Sequence, residues 1–289
     1  MRRTLAAFAL ATISVIATLA SADERVEAIR AELRAGNAED AEKLAKALIE
    51  AEPDNAAAHN IYGQVLTVRI NEVSVFRKPG MAGRMREAWE RAVELDPTHL
   101  DARRSLMQYY LQAPAIAGGS RDKALAQAER IGEIDRAAGY RAMAAYWTAG
   151  DEHDKAAAEY AAAVEAFPED NELRFEYGLY LQRVEDWDAA YTAFTTILES
   201  EPDELRARYQ VGRNAVLSGE RLEEGAAALE WYLGRQPGPG DPGLAWAHTR
   251  LGQVYAHMGR SADARAQFEA ALAIDPEHEE ARQALERVD

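Results

Sequence analysis

The chain has 289 residues, of which 48% are hydrophobic and 28% are charged, a balance that excludes an intrinsically disordered protein. Its formal net charge of −16 disfavours binding to DNA, RNA or anionic lipid unless basic side chains are gathered in one place. The sequence contains no cysteine, which excludes disulfide bonds, thiolate chemistry and a lipid-anchor cysteine.

The first predicted element is an export signal over residues 1–22. It contains two arginines close to its start, an uncharged apolar run over residues 5–20, and the small-residue sequence ASA ending at Ala22. We expect cleavage after Ala22, which leaves a mature chain that starts at Asp23. The alternative is an uncleaved anchor, but the apolar run is shorter than the roughly 18 residues of a membrane span. Export without cysteine predicts a periplasmic location.

The rest of the chain shows a fixed period. Prolines close alanine-rich segments, and Pro168 and Pro202 are 34 residues apart, as are Gly178 and Gly212. A period near 34 residues without strand-like alternation is typical of stacked helix pairs. The sequence therefore predicts an all-α fold.

The last period resembles a tetratricopeptide repeat (TPR) closely. Gly252 and Ala264 are small where two helices would cross, and Pro276 would end the second helix. The resemblance implies a right-handed α-solenoid of about seven TPR-type helix pairs with a C-terminal capping helix. The residues that carry it are Leu251, Gly252, Tyr255, Gly259, Ala264, Phe268, Ala271 and Pro276.

The resemblance extends over nearly all of residues 23–289. The predicted units lie near residues 22–55, 56–99, 100–136, 137–170, 171–204, 205–244 and 245–278, and residues 279–289 form the cap. Extra residues enlarge the second unit around residues 75–84, the third unit in its internal turn, and the connection at residues 236–243. The residues that depart from the motif are Met85, Arg136, Gly225 and Tyr232.

No enzymatic activity, cofactor or metal site is predicted. The histidines include no pair spaced four residues apart, and no nucleophile-elbow, dinucleotide or phosphate-loop motif occurs. The acidic sequence at residues 151–154 is expected to be a solvated turn. Gly118-Gly119-Ser120 precedes a predicted helix, but the ending that a phosphate loop needs does not follow it.

The resemblance implies that the first helix of each pair lines a concave surface. Arginine and amide side chains there would bind an extended peptide, and aromatic side chains would anchor its apolar residues. The alternative is that the arginines pair with acidic neighbours. The predicted concave positions are Asn60, Gln64, Arg104, Gln108, Arg141, Phe175, Tyr209, Arg213, Trp246, Arg250 and Gln253.

These positions predict a periplasmic scaffold that binds a peptide or protein partner, with envelope assembly as its expected setting. Nucleic acid is not expected as a partner. Membrane contact is expected only indirectly, through partners or headgroups.

The enlarged turns of the second and third units are the alternative site, a binder of a small anionic ligand or lipid headgroup. Turns of neighbouring repeats share one edge, so the two are expected side by side. In the structural alternative, Ser120 only caps the next helix, and Val75, Phe76 and Ile116 form a satellite core. The predicted patch contains Arg77, Lys78, Gly80, Gly83, Arg84, Arg86, Gly118, Gly119, Ser120, Arg121 and Lys123.

Overall fold

The computed structural model describes residues 21–288, so residues 1–20 of the predicted signal lie outside the described residues. The described part of the chain forms fifteen α-helices, one short 3-10 helix and no strand, which confirms the all-α prediction. None of these helices is long and apolar enough to cross a membrane.

Each of the seven predicted units contains two of these helices, and the fifteenth helix lies in the predicted cap. The helices are α1 (Ala22–Arg34), α2 (Ala38–Ala51), α3 (Ala56–Arg69), α4 (Lys78–Leu95), α5 (Leu100–Gln112), α6 (Arg121–Ile134), α7 (Arg136–Thr148), α8 (His153–Ala166), α9 (Asn171–Arg183), α10 (Trp187–Ser200), α11 (Leu205–Ser218), α12 (Leu222–Leu233), α13 (Leu244–His257), α14 (Ser261–Ile274) and α15 (Glu279–Arg287).

The chain divides into two compact units. The first ends at Glu152 and contains α1 to α7, and the second begins at His153 and contains α8 to α15. The core of the first unit includes Leu106 and Ile131, and that of the second includes Phe268. These side chains are almost fully buried, so each unit has its own apolar core.

Glycines set the closest helix contacts inside the repeats. Gly178 lies against the ring of Phe194, and Gly252 lies against the ring of Phe268, so close that an added Cβ would collide with the ring. A bulkier residue would push the two helices of the repeat apart. The glycines therefore recur at the repeat period because a large side chain from the second helix of the pair packs against each of them.

The first helix begins with a capping box. The hydroxyl of Ser21 accepts a hydrogen bond from the backbone N–H of Glu24 at 3.3 Å, and the Glu24 carboxylate accepts one from the N–H of Ser21 at 2.7 Å. Both groups satisfy N–H donors that have no partner inside the helix. The predicted cleavage bond after Ala22 lies in the first turn of α1.

A single residue connects α6 to α7. Asp135 ends α6 and also caps α7, because its carboxylate accepts a hydrogen bond from the N–H of Ala138 at 2.8 Å. Arg136, which replaces the usual proline, is therefore the first residue of α7. Close packing of Gly139 against the backbone of Gly132 brings the two helices together on either side of this sharp turn.

The enlargement of the second unit differs from the predicted loop. The second helix, α4, starts at Lys78 and has 18 residues, whereas α2 has 14. Gly80 and Gly83 are therefore helical residues and not part of a glycine-rich loop. Pro79 fits here because the first turn of a helix does not need its N–H. Only residues 70–77 remain as a connection.

The enlarged turn of the third unit is built as a structural turn. The hydroxyl of Ser120 caps α6 by accepting from the N–H of Lys123 at 3.3 Å. The backbone N–H groups of Gly118, Gly119 and Ser120 all donate to carbonyl groups of the same turn or of α5. They are not free to hold phosphate, so the structure argues against nucleotide binding at this turn.

Tyr232, which departs from the motif, holds the connection between the sixth and seventh units. Its ring is fully buried, and its hydroxyl donates a hydrogen bond to the carbonyl of Pro242. Burial, reinforced by the nearby charge of Asp241, raises the pKa of Tyr232 to about 12. The neighbouring departure, Gly225, is explained by close contact with the Cβ of Ala215.

A buried carboxylate ties α2 to α3. Glu42 lies at 8% exposure and accepts hydrogen bonds from Arg69, at 3.1 Å, and from Lys46, whose Nζ lies 2.7 Å away. Burial alone would raise the pKa of Glu42. The hydrogen bonds from Lys46 and Arg69 outweigh that effect and lower its pKa below the usual value.

Glu42→Gln is expected to lower the free energy of unfolding by about 2 kcal/mol at pH 7, because Arg69 loses its charged acceptor. The carboxylate contributes above its unfolded pKa of about 4.5, and this contribution disappears as pH falls through the lowered folded value. Urea unfolding at pH 7 and pH 3 checks this, with the exposed Glu39→Gln as the control. An equal loss at both pH values would contradict it.

Candidate functional site

The first unit contains a groove of about 470 Å³ between its second and third repeats, the repeat 2–3 groove. Helices α3 and α5 supply polar side chains and Val68, helix α4 supplies apolar ones, and the turn after α5 completes the lining. The lining residues are Gln64, Thr67, Val68, Ile70, Ala82, Met85, Trp89, Ser105, Gln108, Tyr109, Gln112, Ala113, Pro114 and Ala117.

The groove lies on the face that the sequence predicted to be concave. Gln64 and Val68 are one helical turn apart on α3, and Gln108 and Gln112 are one turn apart on α5, so each pair shares a helix face. Predicted positions Gln64 and Gln108 therefore line one groove. The third unit's enlarged turn also borders it, so the two surfaces predicted as alternatives meet here.

Two aromatic side chains line the groove beside the turn that follows α5. Trp89 and Tyr109 are buried and pack edge to face, with ring centroids 6.4 Å apart. The Tyr109 hydroxyl donates to the carbonyl of Ala117 at 2.6 Å and so holds the turn in place. Met85, which stands where the motif has a small residue, supplies a flexible thioether to the lining.

The enlarged turns carry large apolar side chains in solvent. Val75 is 68% exposed, Phe76 is 92% exposed and Ile116 is 100% exposed, so the predicted satellite core is wrong. Val75 and Phe76 lie in the connection before α4, and Ile116 lies in the 3-10 helix. No other side chain in the described part of the chain covers them. No carboxylate of residues 21–288 lies within 4 Å of the neighbouring Arg77 or Lys78.

The remaining basic side chains of the predicted patch are engaged within the first unit. Arg86 pairs with Glu90 at 3.5 Å and its guanidinium lies against Gly118, which shows that α4 contacts the enlarged turn of the third unit. The other contacts are Arg84 to the Tyr62 hydroxyl at 3.5 Å, Arg121 to Glu152 at 3.2 Å and over the ring of Tyr146, and Lys123 over the ring of Tyr110. These cations do not converge on one ligand position.

The other predicted concave positions of the first unit have mixed environments. Asn60 is buried at 3% exposure, with no hydrogen-bond partner for its side-chain oxygen, whereas Arg104 is exposed and pairs with Asp101 at 3.3 Å. Arg141 is half-buried. These residues extend the face that carries Gln64 and Gln108 but do not line the groove itself.

Two aromatic anchors predicted for the second unit are core residues instead. Phe175 and Tyr209 are 7% and 5% exposed, and they pack on Phe194 and Tyr232 respectively. Their helix face also meets the next repeat, which covers them. Trp246 remains 44% exposed and is the aromatic side chain of the predicted set that a ligand can reach.

Two arginines on the first helices of the second unit, Arg206 and Arg250, pair with acidic neighbours, as the alternative prediction stated. Arg250 binds the Glu280 carboxylate, and Gln253 donates to the same carboxylate at 2.8 Å. Burial alone would raise the pKa of Glu280, but Gln253 and Arg250 lower it overall. Arg213 differs, because its hydrogen-bond acceptor is the neutral Oε1 of Gln182.

Sequence reasoning missed the contribution of the second helix, α4, to the groove. The departure of Met85 from the motif was the signal that could have indicated it. Among residues 21–288, no group of three or more His, Asp or Glu side chains is arranged to hold a metal ion.

Comparisons with known proteins agree with the helix pairs. Tetratricopeptide repeat family models match residues 26–69, 140–183 and 222–277. A search of the curated proteins gave no match by sequence.

Solved structures show the same fold at low sequence identity. A tetratricopeptide repeat protein from Parabacteroides merdae is 13% identical, with a TM-score of 0.55 over 92% of this chain and 98% of that chain. Yeast Tom70 is 17% identical, with a TM-score of 0.59 over 86% of this chain and 49% of that chain. The family models identify tetratricopeptide repeats in this chain over the matched segments, and the solved structures show the same fold of helix pairs.

Proposed function

We propose that this protein binds an extended segment of a partner protein in the repeat 2–3 groove. Tetratricopeptide repeats indicate a protein–protein interaction module, and the groove gives that general role a specific place. The proposal includes no enzymatic activity, in keeping with the non-enzymatic scaffolds that this family generally forms.

The observation that carries the proposal is the combination of apolar and amide groups in one groove. Val68 is 44% exposed at the groove, and Met85 and Trp89 supply further apolar lining. The side chains of Gln64 and Gln108 offer donors and acceptors to a peptide backbone. Binding sites commonly combine an apolar lining with a few polar groups that fix the ligand's orientation. The ligand is therefore a peptide that presents apolar side chains.

Crosslinking in live cells tests this proposal. A photo-crosslinking amino acid at Gln108 is expected to capture a protein partner, because this side chain is exposed and lines the groove. The same amino acid at Ala126, an exposed position on α6, is the control. Equal capture from both positions would contradict a partner held in the groove.

We also place the mature protein in the periplasm, with envelope assembly as the process that it serves. The support is the N-terminal pattern of two arginines, an apolar run and small residues before Asp23. N-terminal sequencing of the protein from a periplasmic fraction is expected to start at Asp23. A protein that retains residues 1–22 and sediments with membranes would instead indicate an uncleaved anchor.

A second candidate function is binding of a lipid headgroup or small anion by the enlarged turns. It is favoured by the exposed side chains of Phe76 and Ile116 together with Arg77 and Lys78, which lack a carboxylate partner within the described residues. Such a combination suits an interface between water and an anionic membrane surface. The internal contacts of Arg84, Arg86, Arg121 and Lys123 make it the weaker candidate.

A further inference from the structure

Two arginines lie against the ring of one tryptophan at the end of the sixth repeat. Trp231 is half-buried on α12, and the guanidinium carbons of Arg208 and Arg235 lie 4.7 Å and 4.1 Å from its ring centroid. Contact with an aromatic ring is favourable for a guanidinium and restricts its position. Because both groups contact the same ring, their carbons are no further apart than the sum of those two distances. We call these three residues the Trp231 cluster.

Neither arginine of the Trp231 cluster has a counter-ion. Within residues 21–288, no carboxylate lies within 4 Å of either guanidinium. Arg174 and Arg287 also lack a carboxylate there, but neither of them lies on an aromatic ring. By contrast, five arginines that stack on other rings each bind a carboxylate as well. They are Arg121, Arg206, Arg221, Arg250 and Arg260.

Both guanidinium groups of the cluster keep N–H donors that solvent can reach. Arg235 is exposed, and its guanidinium donates no hydrogen bond within the described residues. One terminal nitrogen of Arg208 donates to the carbonyl of Pro202 at 2.7 Å, and its Nε–H group is buried without an acceptor. The other terminal nitrogen of Arg208 is not buried. An anion that arrives from solvent can therefore bind to both side chains.

The cluster borders the enlarged connection between the sixth and seventh units. Arg235 lies just beyond the end of α12, and the inserted residues 236–243 follow it directly. The hydroxyl of Tyr232, the residue after Trp231, holds this connection in place. Trp231 belongs to the second helix of its pair, and Arg208 is not one of the first-helix positions predicted to be concave. The cluster is therefore a surface separate from those positions.

We propose that the Trp231 cluster is a docking point for an acidic segment of a protein partner. Each guanidinium presents its N–H groups in a fork that matches the two oxygens of a carboxylate. Side chains four residues apart on a helix lie about 5–6 Å apart, and those two residues apart on a strand lie roughly 7 Å apart. Two carboxylates of one segment can therefore reach both arginines and supply the opposite charge that this chain does not provide.

Short peptides test the docking point without an identified partner. The probes are acetyl-Glu-Ala-Glu-amide, which has two carboxylates, and acetyl-Gln-Ala-Gln-amide, a neutral control of the same shape. Binding to the full chain is followed by the NMR shift of the Trp231 indole N–H group, which Trp231→Phe assigns. The acidic peptide is expected to shift and saturate this signal, more weakly as salt rises, and the neutral peptide is not.

Substitution of Arg235 measures the contribution of the cluster to binding. Arg235→Gln is expected to weaken the acidic peptide by about tenfold or more in a calorimetric titration, since a charge-assisted hydrogen bond is lost. Arg235→Lys, which keeps the charge without the fork, is expected to recover part of the affinity. Arg260→Gln is the matched control and keeps the full affinity, because Arg260 stacks on Tyr255 but already binds Asp263.

Three results would overturn the inference. They are no shift of the Trp231 signal with the acidic peptide, equal affinity of the wild type and Arg235→Gln, and tighter binding of inorganic phosphate than of the acidic peptide. This inference goes beyond the repeat 2–3 groove, which belongs to the first unit. Val68→Glu in the groove is expected to leave peptide binding at the Trp231 cluster unchanged, so failure of either proposal is distinguishable from failure of the other.

Discussion

Val68→Glu is expected to abolish capture of the partner by the repeat 2–3 groove while the protein stays folded. The side chain of Val68 is 44% exposed, so a carboxylate can be accommodated there without disturbing the core. A bound peptide would have to bury that charge against apolar groups, which costs at least about 2 kcal/mol, equivalent to roughly thirtyfold in affinity. The yield of the crosslink from Gln108 measures the effect.

Leu217→Glu is the matched control for this experiment. Leu217 is 43% exposed on α11 of the second unit, and the substitution introduces the same charge at the same degree of exposure. Capture is expected to remain at the wild-type level. Full capture by Val68→Glu would refute the groove as the binding site. Loss of capture in Phe76→Asp alone would favour the enlarged turns and the second candidate function.

Gly139→Ala is expected to destabilise the first unit by about 2 to 3 kcal/mol. A Cβ at Gly139 would collide with the backbone of Gly132, and backbone atoms cannot move aside as a flexible side chain can. The helices α6 and α7 would have to separate at the point where only Asp135 connects them. Urea unfolding followed by circular dichroism measures the change.

The neighbouring glycine at the same contact provides the control for that prediction. A Cβ at Gly132 would lie 3.5 Å from the Cα of Gly139, which is an ordinary van der Waals contact. Gly132→Ala is therefore expected to be neutral or to stabilise by up to about 1 kcal/mol, since alanine is the better helix former. Equal destabilisation by both substitutions would show that the helix contact differs from the one described.

The helix pairs were predictable from sequence because their determinants are local. A glycine where two helices cross, such as Gly252, and the large side chain that packs on it, Phe268, belong to the same repeat. Their spacing therefore repeats along the chain. The cap at Ser120 was predictable for the same reason, since a capping side chain and its N–H partner are three residues apart.

The candidate site was predictable only in part, because it depends on contacts between repeats. Gln64 and Gln108 could be assigned to the concave face from their helix positions, but Phe175 and Tyr209 occupy similar positions and are covered by neighbours. Helix periodicity gives the direction of a side chain and not the distance to the next helix. The exposure of Phe76 was unpredictable, because it depends on where the helix after an insertion begins.

The capping box at Ser21 bears on the proposed cleavage after Ala22. Proteases act most readily on exposed, locally unfolded segments, but the bond after Ala22 lies in the first turn of a capped helix. The cap contributes about 1 kcal/mol to that helix. If the proposed cleavage after Ala22 takes place, it is expected before α1 forms, because the folded helix would make this bond a poor substrate. Under that proposal, the start of the first helix sets the order of processing and folding.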